Sequence, residues 1–207
     1  MNSKRVFIAV LNQGDTRIEL SALLHELQYQ GKYDVSISYP NEKPIANNRN
    51  KIVQEFLLQK DFDYLMMIDS DIIPPDNILN LIDFQKDIIS PICFIYQQNV
   101  IAPLLLKRNP EGTFGVAGFK GYEGLVELDA VGTGCIILSR KVLEDVSAPF
   151  LDIFDEHGVR KYGLDISFCQ KAKAKGYKVY CHLDYIAEHY VRMGLARIYQ
   201  IANYSIR

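Results

Sequence analysis

Asp69 and Asp71 stand one residue apart at the end of an apolar run, in the segment 64–75 (YLMMIDSDIIPP). Two hard oxygen donors at that spacing suit Mg2+ or Mn2+ holding a substrate diphosphate. The short apolar run is bounded by turn formers, which predicts a strand covered on both faces, as in parallel α/β sheets. Pro74 and Pro75 forbid its continuation, so both aspartates fall at its carboxyl end. Ligands of open α/β sheets bind at that edge. A strand-to-turn junction whose aspartates cap the next helix fits the same residues, and the pair alone does not separate the two readings.

Three further residues interrupt apolar patterns. Arg49 lies four after Ile45, three before Ile52 and four before Val53, on the apolar stripe of a predicted helix. A cation facing inward needs an anion, either a protein carboxylate such as Asp69 or Asp71, or a ligand phosphate near the helix N-terminus. Asp165 shares the face of Phe168, Cys169 and Ala172 and follows Gly163 in a first helical turn. It reads as an N-cap or as a general base projecting from a helix start. His189 follows a short run that predicts a strand ending near the same edge; its imidazole would complete a metal shell and favour manganese, or serve as a hydrogen-bonded structural group. His182 and Glu188 compete with it.

The elements that must position these groups are legible as periodicities. Strands are predicted at 6–11, 33–39 and 64–69, alternating with a helix opened by the capping-box pattern Thr16-x-x-Glu19 and a helix over 45–60. That alternation implies a parallel sheet with right-handed crossovers. A short helix over 77–84 leads to a strand at 87–94, after which the alternation fails. Strands are expected at 101–106, 125–130, 131–139 and 177–181, helices at 140–146 and 164–175, and a glycine-rich flap over 109–122.

The chain has 207 residues, 48% hydrophobic and 23% charged, with a net charge of -2, which fits one soluble globular domain and gives no basic excess for nucleic acid. Cys93, Cys135, Cys169 and Cys181 lack zinc-type spacing and are expected as reduced core residues. The apolar stretch before Asn12 is too short for a signal-peptide core or a membrane span, so a cytoplasmic location, extending to the inner membrane surface, is expected.

Taken in order, Ala46-Asn-Asn-Arg-Asn50, Ile68-Asp-Ser-Asp71, Val131-Gly-Thr-Gly134, Gly163-Leu-Asp165 with Phe168, and His189 resemble the nucleotide-sugar glycosyltransferases of the GT-A fold, closest to family 2-like members, including short stand-alone microbial and viral proteins. The resemblance implies an α/β, Rossmann-like fold: a mostly parallel central sheet flanked by helices, with a smaller mixed sheet on the acceptor side. It divides the chain into a nucleotide-binding half (1–95), an acceptor and catalytic half (96–190) and an amphipathic helix (191–207). It implies that Asp69 and Asp71 form a D-x-D pair, with Asp71 the more direct metal ligand, Asp69 and Ser70 nearer the donor, and His189 the late metal ligand. Arg49 and Asn50 would contact the donor, Asn12, Gln13 and Tyr39 would hold its base and ribose, and Gly132 and Gly134 would line the donor-sugar and acceptor pocket. Asp165 matches the base; Leu164 stands where the usual pattern has glutamate. The implied cofactors are Mn2+ or Mg2+ with a nucleoside-diphosphate sugar, a UDP-sugar by default, and the acceptor is a glycan, lipid or protein hydroxyl.

Competing readings are a sugar nucleotidyltransferase, disfavoured because the 12–15 loop has a single glycine, an aspartate-nucleophile phosphatase, and a nucleotide-sugar-binding scaffold without turnover. The segment 192–207 places Leu195, Ile198, Tyr199 and Ala202 on one face, to dock on the domain, on a second copy as a homodimer, or on an anionic membrane.

Overall fold

The computed structural model describes residues 3–12, 14–97, 100–118 and 123–204. Gln13, the 119–122 part of the glycine-rich segment and Arg207 lie outside the described residues. In chain order the first half comprises β1 (Arg5–Leu11), α1 (Ile18–Tyr29), β2 (Asp34–Ser38), α2 (Ile45–Leu58), β3 (Tyr64–Asp69), β4 (Ile72–Ile73), a 3-10 helix (Ile78–Phe84) and β5 (Ile88–Gln97). There follow β6 (Val100–Pro103), β7 (Leu105–Arg108), β8 (Phe114–Val116), β9 (Leu125–Leu128), β10 (Ala130–Val131), β11 (Cys135–Ser139), α3 (Arg140–Asp145), β12 (Ile153–Phe154), β13 (Arg160–Tyr162), α4 (Leu164–Ala174), β14 (Val179–His189) and α5 (Leu195–Tyr204).

The main sheet runs β2–β1–β3–β11–β5–β14–β4, with β6 beside β5 and β9 beside β14. Its main strands β2, β1, β3, β5 and β14 run in one direction, and β11 lies antiparallel between β3 and β5. A small antiparallel sheet, β10–β7–β8, stands apart. The period-two alternation of strand side chains explains two apolar layers. Phe7, Ala9, Leu11, Leu65 and Met67 face a cluster with α2, α3 and α4, while Val6, Ile8, Val10, Met66 and Ile68 face one with α1 and the 3-10 helix. All four cysteines are buried and unbridged. No described helix is long and apolar enough to cross a membrane.

Three local expectations are corrected. The Thr16–Glu19 capping box does not form: α1 begins at Ile18 with Arg17 as N-cap and no side-chain cap bond, because the Arg17 guanidinium reaches Glu19 at 3.2 Å and stacks 3.9 Å from the Tyr190 ring centroid. The 101–106 strand breaks at Leu104 into β6 and β7, whose partners belong to different sheets. The strand expected to end at Cys181 continues to His189, through a register shift against β5 between Cys181 and Ile186.

Arg140, opening α3, donates to the carbonyls of Phe56, Gln59 and Phe62 and so closes the free carboxyl end of α2, the helix that carries Arg49. On the opposite layer Asp83 accepts from Lys32 at 2.5 Å and from the buried Tyr33 hydroxyl at 2.6 Å, and these bonds hold its carboxyl below the ordinary value of 3.8. A depressed carboxylate contributes stability above the unfolded pKa and loses it as pH falls through the folded one. Asp83→Asn is therefore expected to lose about 1 kcal/mol in urea unfolding at pH 7. The difference should close below the ordinary carboxylate range, where both forms are neutral.

Candidate active site

The Asp69–Asp71 pair lies where the fold predicts ligands. β3 delivers Asp69 beside the end of β1, with Leu11 and Asp69 in register. The next residues turn: Ser70 N donates to Leu11 O and Asp69 N to Gly134 O. The two-residue strand β4 then pairs antiparallel with the end of β14, placing Ile72 opposite His189. This pairing is why a histidine 118 positions after Asp71 arrives beside it.

His189 Nδ1 lies 2.6 Å from Phe94 O, and a carbonyl can only accept, so the Nδ1 hydrogen is committed to it. Nε2 is then the ring atom turned toward Asp71, whose Oδ2 is 3.5 Å away, and in the neutral ring it carries the lone pair. Each group tunes the other: the neighbouring carboxylate raises His189, and the imidazole lowers Asp71. The competing residues are elsewhere. Glu188 points out on the opposite face of the strand, and His182 is buried between the Phe84 and Tyr185 rings.

Asp69 has a different role from Asp71. Arg49 is buried, and its Nη2 meets Asp69 Oδ1 at 2.7 Å while Nη1 donates to Thr133 O at 2.9 Å. Burial raises the Asp69 carboxyl to about 6 against the pull of Arg49, with Asp165 and Asp71 adding to the rise. The inward cation of α2 thus finds a protein carboxylate, as one of its two sequence readings required. Thr133, itself buried, donates its hydroxyl to Asp165 Oδ1. One bonded chain therefore joins Asp69, Arg49, Thr133 and Asp165 across β3, α2, the β10–β11 loop and the first turn of α4.

A cavity of about 740 Å3 opens over this edge, lined among others by Asp69, Ser70, Asp71, His189, Arg17 and Arg192. Asp165 is half-buried and lies outside that lining. Arg17, Asp15 and Arg192 escaped the sequence reading because they follow no period. Their only signal was position, just after the first strand and three residues after His189. Arg192 lies 3.7 Å from Asp15 across the cavity mouth. Thr133 also escaped, although a hydroxyl between two glycines in an otherwise apolar stretch was a signal.

Several residues expected to contact the donor are engaged within the protein. Asn50 donates to Phe150 O at 2.6 Å and accepts from Phe150 N at 3.0 Å, so its amide ties α2 to a distant loop. Gly132 and Gly134 do not line the cavity; a Cβ on Gly132 would come within 2.9 Å of Leu104, and one on Gly134 would collide with Ile72 and lie 3.3 Å from Asp69 Oδ2. Their missing side chains let the protein's own backbone and side chains approach. Asn12 forms a local turn, accepting from Gly14 N, and its own N–H bonds Pro40 O, which brings the ends of β1 and β2 together. Tyr39 is exposed beside them. Among the described residues no group of three or more His, Cys, Asp or Glu is gathered closely enough to hold a metal ion by itself. Asp71 and His189 face each other, while Asp69 is held by Arg49.

No protein-family model matches the chain, and no curated protein matches it. Solved structures do. A197 from STIV superposes with a TM-score of 0.61 at 18% identity, over 91% of this chain and 86% of that one. GalNAc-T7, solved with UDP, GalNAc and Mn2+, gives 0.55 at 12% identity, over 92% of this chain and 43% of its own. S. aureus TarS 1-349, solved with UDP-GlcNAc, gives 0.53 at 14% identity, over 95% and 61%. The chain thus spans less than two thirds of the GalNAc-T7 and TarS chains. At these identities the likeness is one of fold, and the fold is GT-A-like, that of glycosyltransferases.

Proposed function

We propose that this protein is a metal-dependent glycosyltransferase that moves a sugar from a nucleoside-diphosphate sugar to an acceptor hydroxyl with inversion. The observation that carries the reading is the meeting of Asp71 and the Nε2 face of His189 on the wall of a cavity at the carboxyl edge of the sheet. One carboxylate and one imidazole are a sparse protein shell. That sparseness suits Mn2+, which accepts nitrogen, with diphosphate oxygens and water filling the other positions. The Phe94 carbonyl supplies the outer bond that fixes a ligating histidine's tautomer. A cation there would stabilise negative charge on the departing diphosphate.

The protein's own groups do the rest. Arg17 and Arg192, both in the cavity lining, would draw the diphosphate in. Asn12 and Tyr39, just beyond the first two strands, would hold base and ribose together with Gln13, with uridine as the default, and Ser70 would lie along the donor. Asp165 would take the proton of the acceptor hydroxyl as its oxygen bonds to the anomeric carbon and the bond from that carbon to the diphosphate breaks. The Thr133 hydroxyl orients the carboxylate for this step.

The test is nucleoside-diphosphate release from a panel of UDP-sugars and other nucleotide-sugars, with Mn2+ and with the metal chelated. Asp71→Ala is expected to lower Mn2+-dependent release by on the order of 10²-fold or more. Release that is equal in the variant, or unchanged by chelation, refutes the metal assignment. Donor binding without any release, across donors and candidate acceptors, would identify a nucleotide-sugar-binding protein instead.

A further inference from the structure

Four lysines from four separate segments converge on a concavity at the far edge of the main sheet. Lys86 comes from the loop before β5, Lys141 from α3, Lys175 from the C-cap of α4 and Lys178 from the approach to β14, and all four line a cavity of about 420 Å3. Tyr180, in the same lining, and His189, at the candidate active site, stand at opposite ends of β14, so the two cavities open on opposite edges of the sheet.

Like charges repel, and the fold gathers these with little to neutralise them. Lys178 is paired with Glu127 at 2.9 Å. Among the described residues Lys86, Lys141 and Lys175 form no ion pair. The two carboxylates of the lining have other partners: Asp87 accepts from the Ser139 hydroxyl at 2.6 Å and Asp145 from the Tyr177 hydroxyl. The negative end of a helix accounts for Lys175 alone. Lys86 and Lys141 are instead held over rings of the same lining, 4.8 Å from the Tyr180 centroid and 5.6 Å from that of Tyr177. A ring face attracts an ammonium group but takes none of its N–H groups in a strong hydrogen bond, so those donors remain for a ligand.

A concavity richer in one sign of charge focuses the field and concentrates counter-ions. Its ammonium groups are point charges spread around the lining, which suits an anion with several charged oxygens, and phosphate is the group that lysine holds in this way. The volume falls in the range of small-molecule sites. We infer that this cavity is a second binding site, for a small soluble anion of the diphosphate class, remote from the candidate active site. The inference does not depend on the reaction proposed above.

The measurement is a nuclear magnetic resonance titration of the full, isotope-labelled chain with pyrophosphate in metal-free buffer at roughly 0.05 M salt. It follows the backbone amides of Gly176 and Lys178 at this cavity and of Ser70 and Tyr190 at the other. Saturable shifts at Gly176 and Lys178 are expected, weakening as salt rises. In Lys86→Gln/Lys141→Gln the half-saturating concentration at those amides should rise by about tenfold or more, with native circular dichroism. Lys175→Gln removes no ring contact and should raise it by about threefold, which keeps the test open if the double variant fails to fold. Four results each overturn the inference: no saturable shift at Gly176 and Lys178, shifts confined to Ser70 and Tyr190, equal shifts with acetate, or unchanged half-saturation in native variants. Neither metal nor nucleotide-sugar is present, so this failure and a failure of nucleoside-diphosphate release are separate results.

Discussion

Changing Asp165 to asparagine is expected to lower turnover by about 10²- to 10⁴-fold while Mn2+-supported donor binding stays within about twofold. The substitution keeps shape and keeps an oxygen for the Thr133 hydroxyl, so the loss falls on proton acceptance. Calorimetric titration with the best donor of the panel and single-turnover release separate the two quantities. Asp71→Ala should show the opposite division, with donor affinity failing first. If Asp165→Asn retains wild-type turnover, the carboxylate is not the base. The Asp69–Arg49–Thr133–Asp165 chain would then be a structural brace, and a retaining route would replace direct displacement.

The second large effect is on stability. Arg49→Met should cost about 3 kcal/mol in denaturant unfolding at pH 7, because it leaves the partly buried Asp69 carboxylate without its cation and the Thr133 carbonyl without its donor. The cost should vary with pH in a definite sense. Asp69 already has a raised pKa, about 6, and losing Arg49 removes the influence that lowers it. An acid raised in the folded state makes the protein less stable as pH climbs above its unfolded value, so the deficit of Arg49→Met should be smallest near pH 4 and grow toward pH 7. In Arg49→Met/Asp69→Asn the losses should fall short of additive by about 2 kcal/mol. Additive losses, or a deficit flat with pH, would mean that the pair is not coupled as its 2.7 Å separation implies.

What was legible in the sequence was local and periodic. The apolar run before Asp69 gave a buried strand, and the helical spacing of Ile45, Arg49, Ile52 and Val53 turned the guanidinium inward, where it met one of the two expected kinds of partner. The ordered motifs gave the GT-A-like fold. What was not legible depends on meetings between distant segments. Asn50 sits one residue beyond Arg49, yet its partner is the backbone of Phe150, which no periodicity announces. Gly134 looked like room for a substrate because a missing side chain says only that something comes close; here Ile72 and Asp69 do. Arg17 and Arg192 belong to no repeating face. They reach the cavity through the loop after β1 and the segment after β14.

The antiparallel β11 has a consequence for how this chain comes into being. It is wedged between β3 and β5, strands made some 40 to 70 residues before it, and it carries the loop whose backbone receives both Asp69 and Arg49. During synthesis the first hundred residues therefore emerge without the strand that joins β3 to β5, and the N–H and C=O groups of both that β11 will pair stay open to any extended neighbour. Cleavage between the halves would leave β3 and β5 without the strand that joins them. A separately supplied 96–204 fragment has a defined place to insert, which makes this protein a natural subject for fragment complementation.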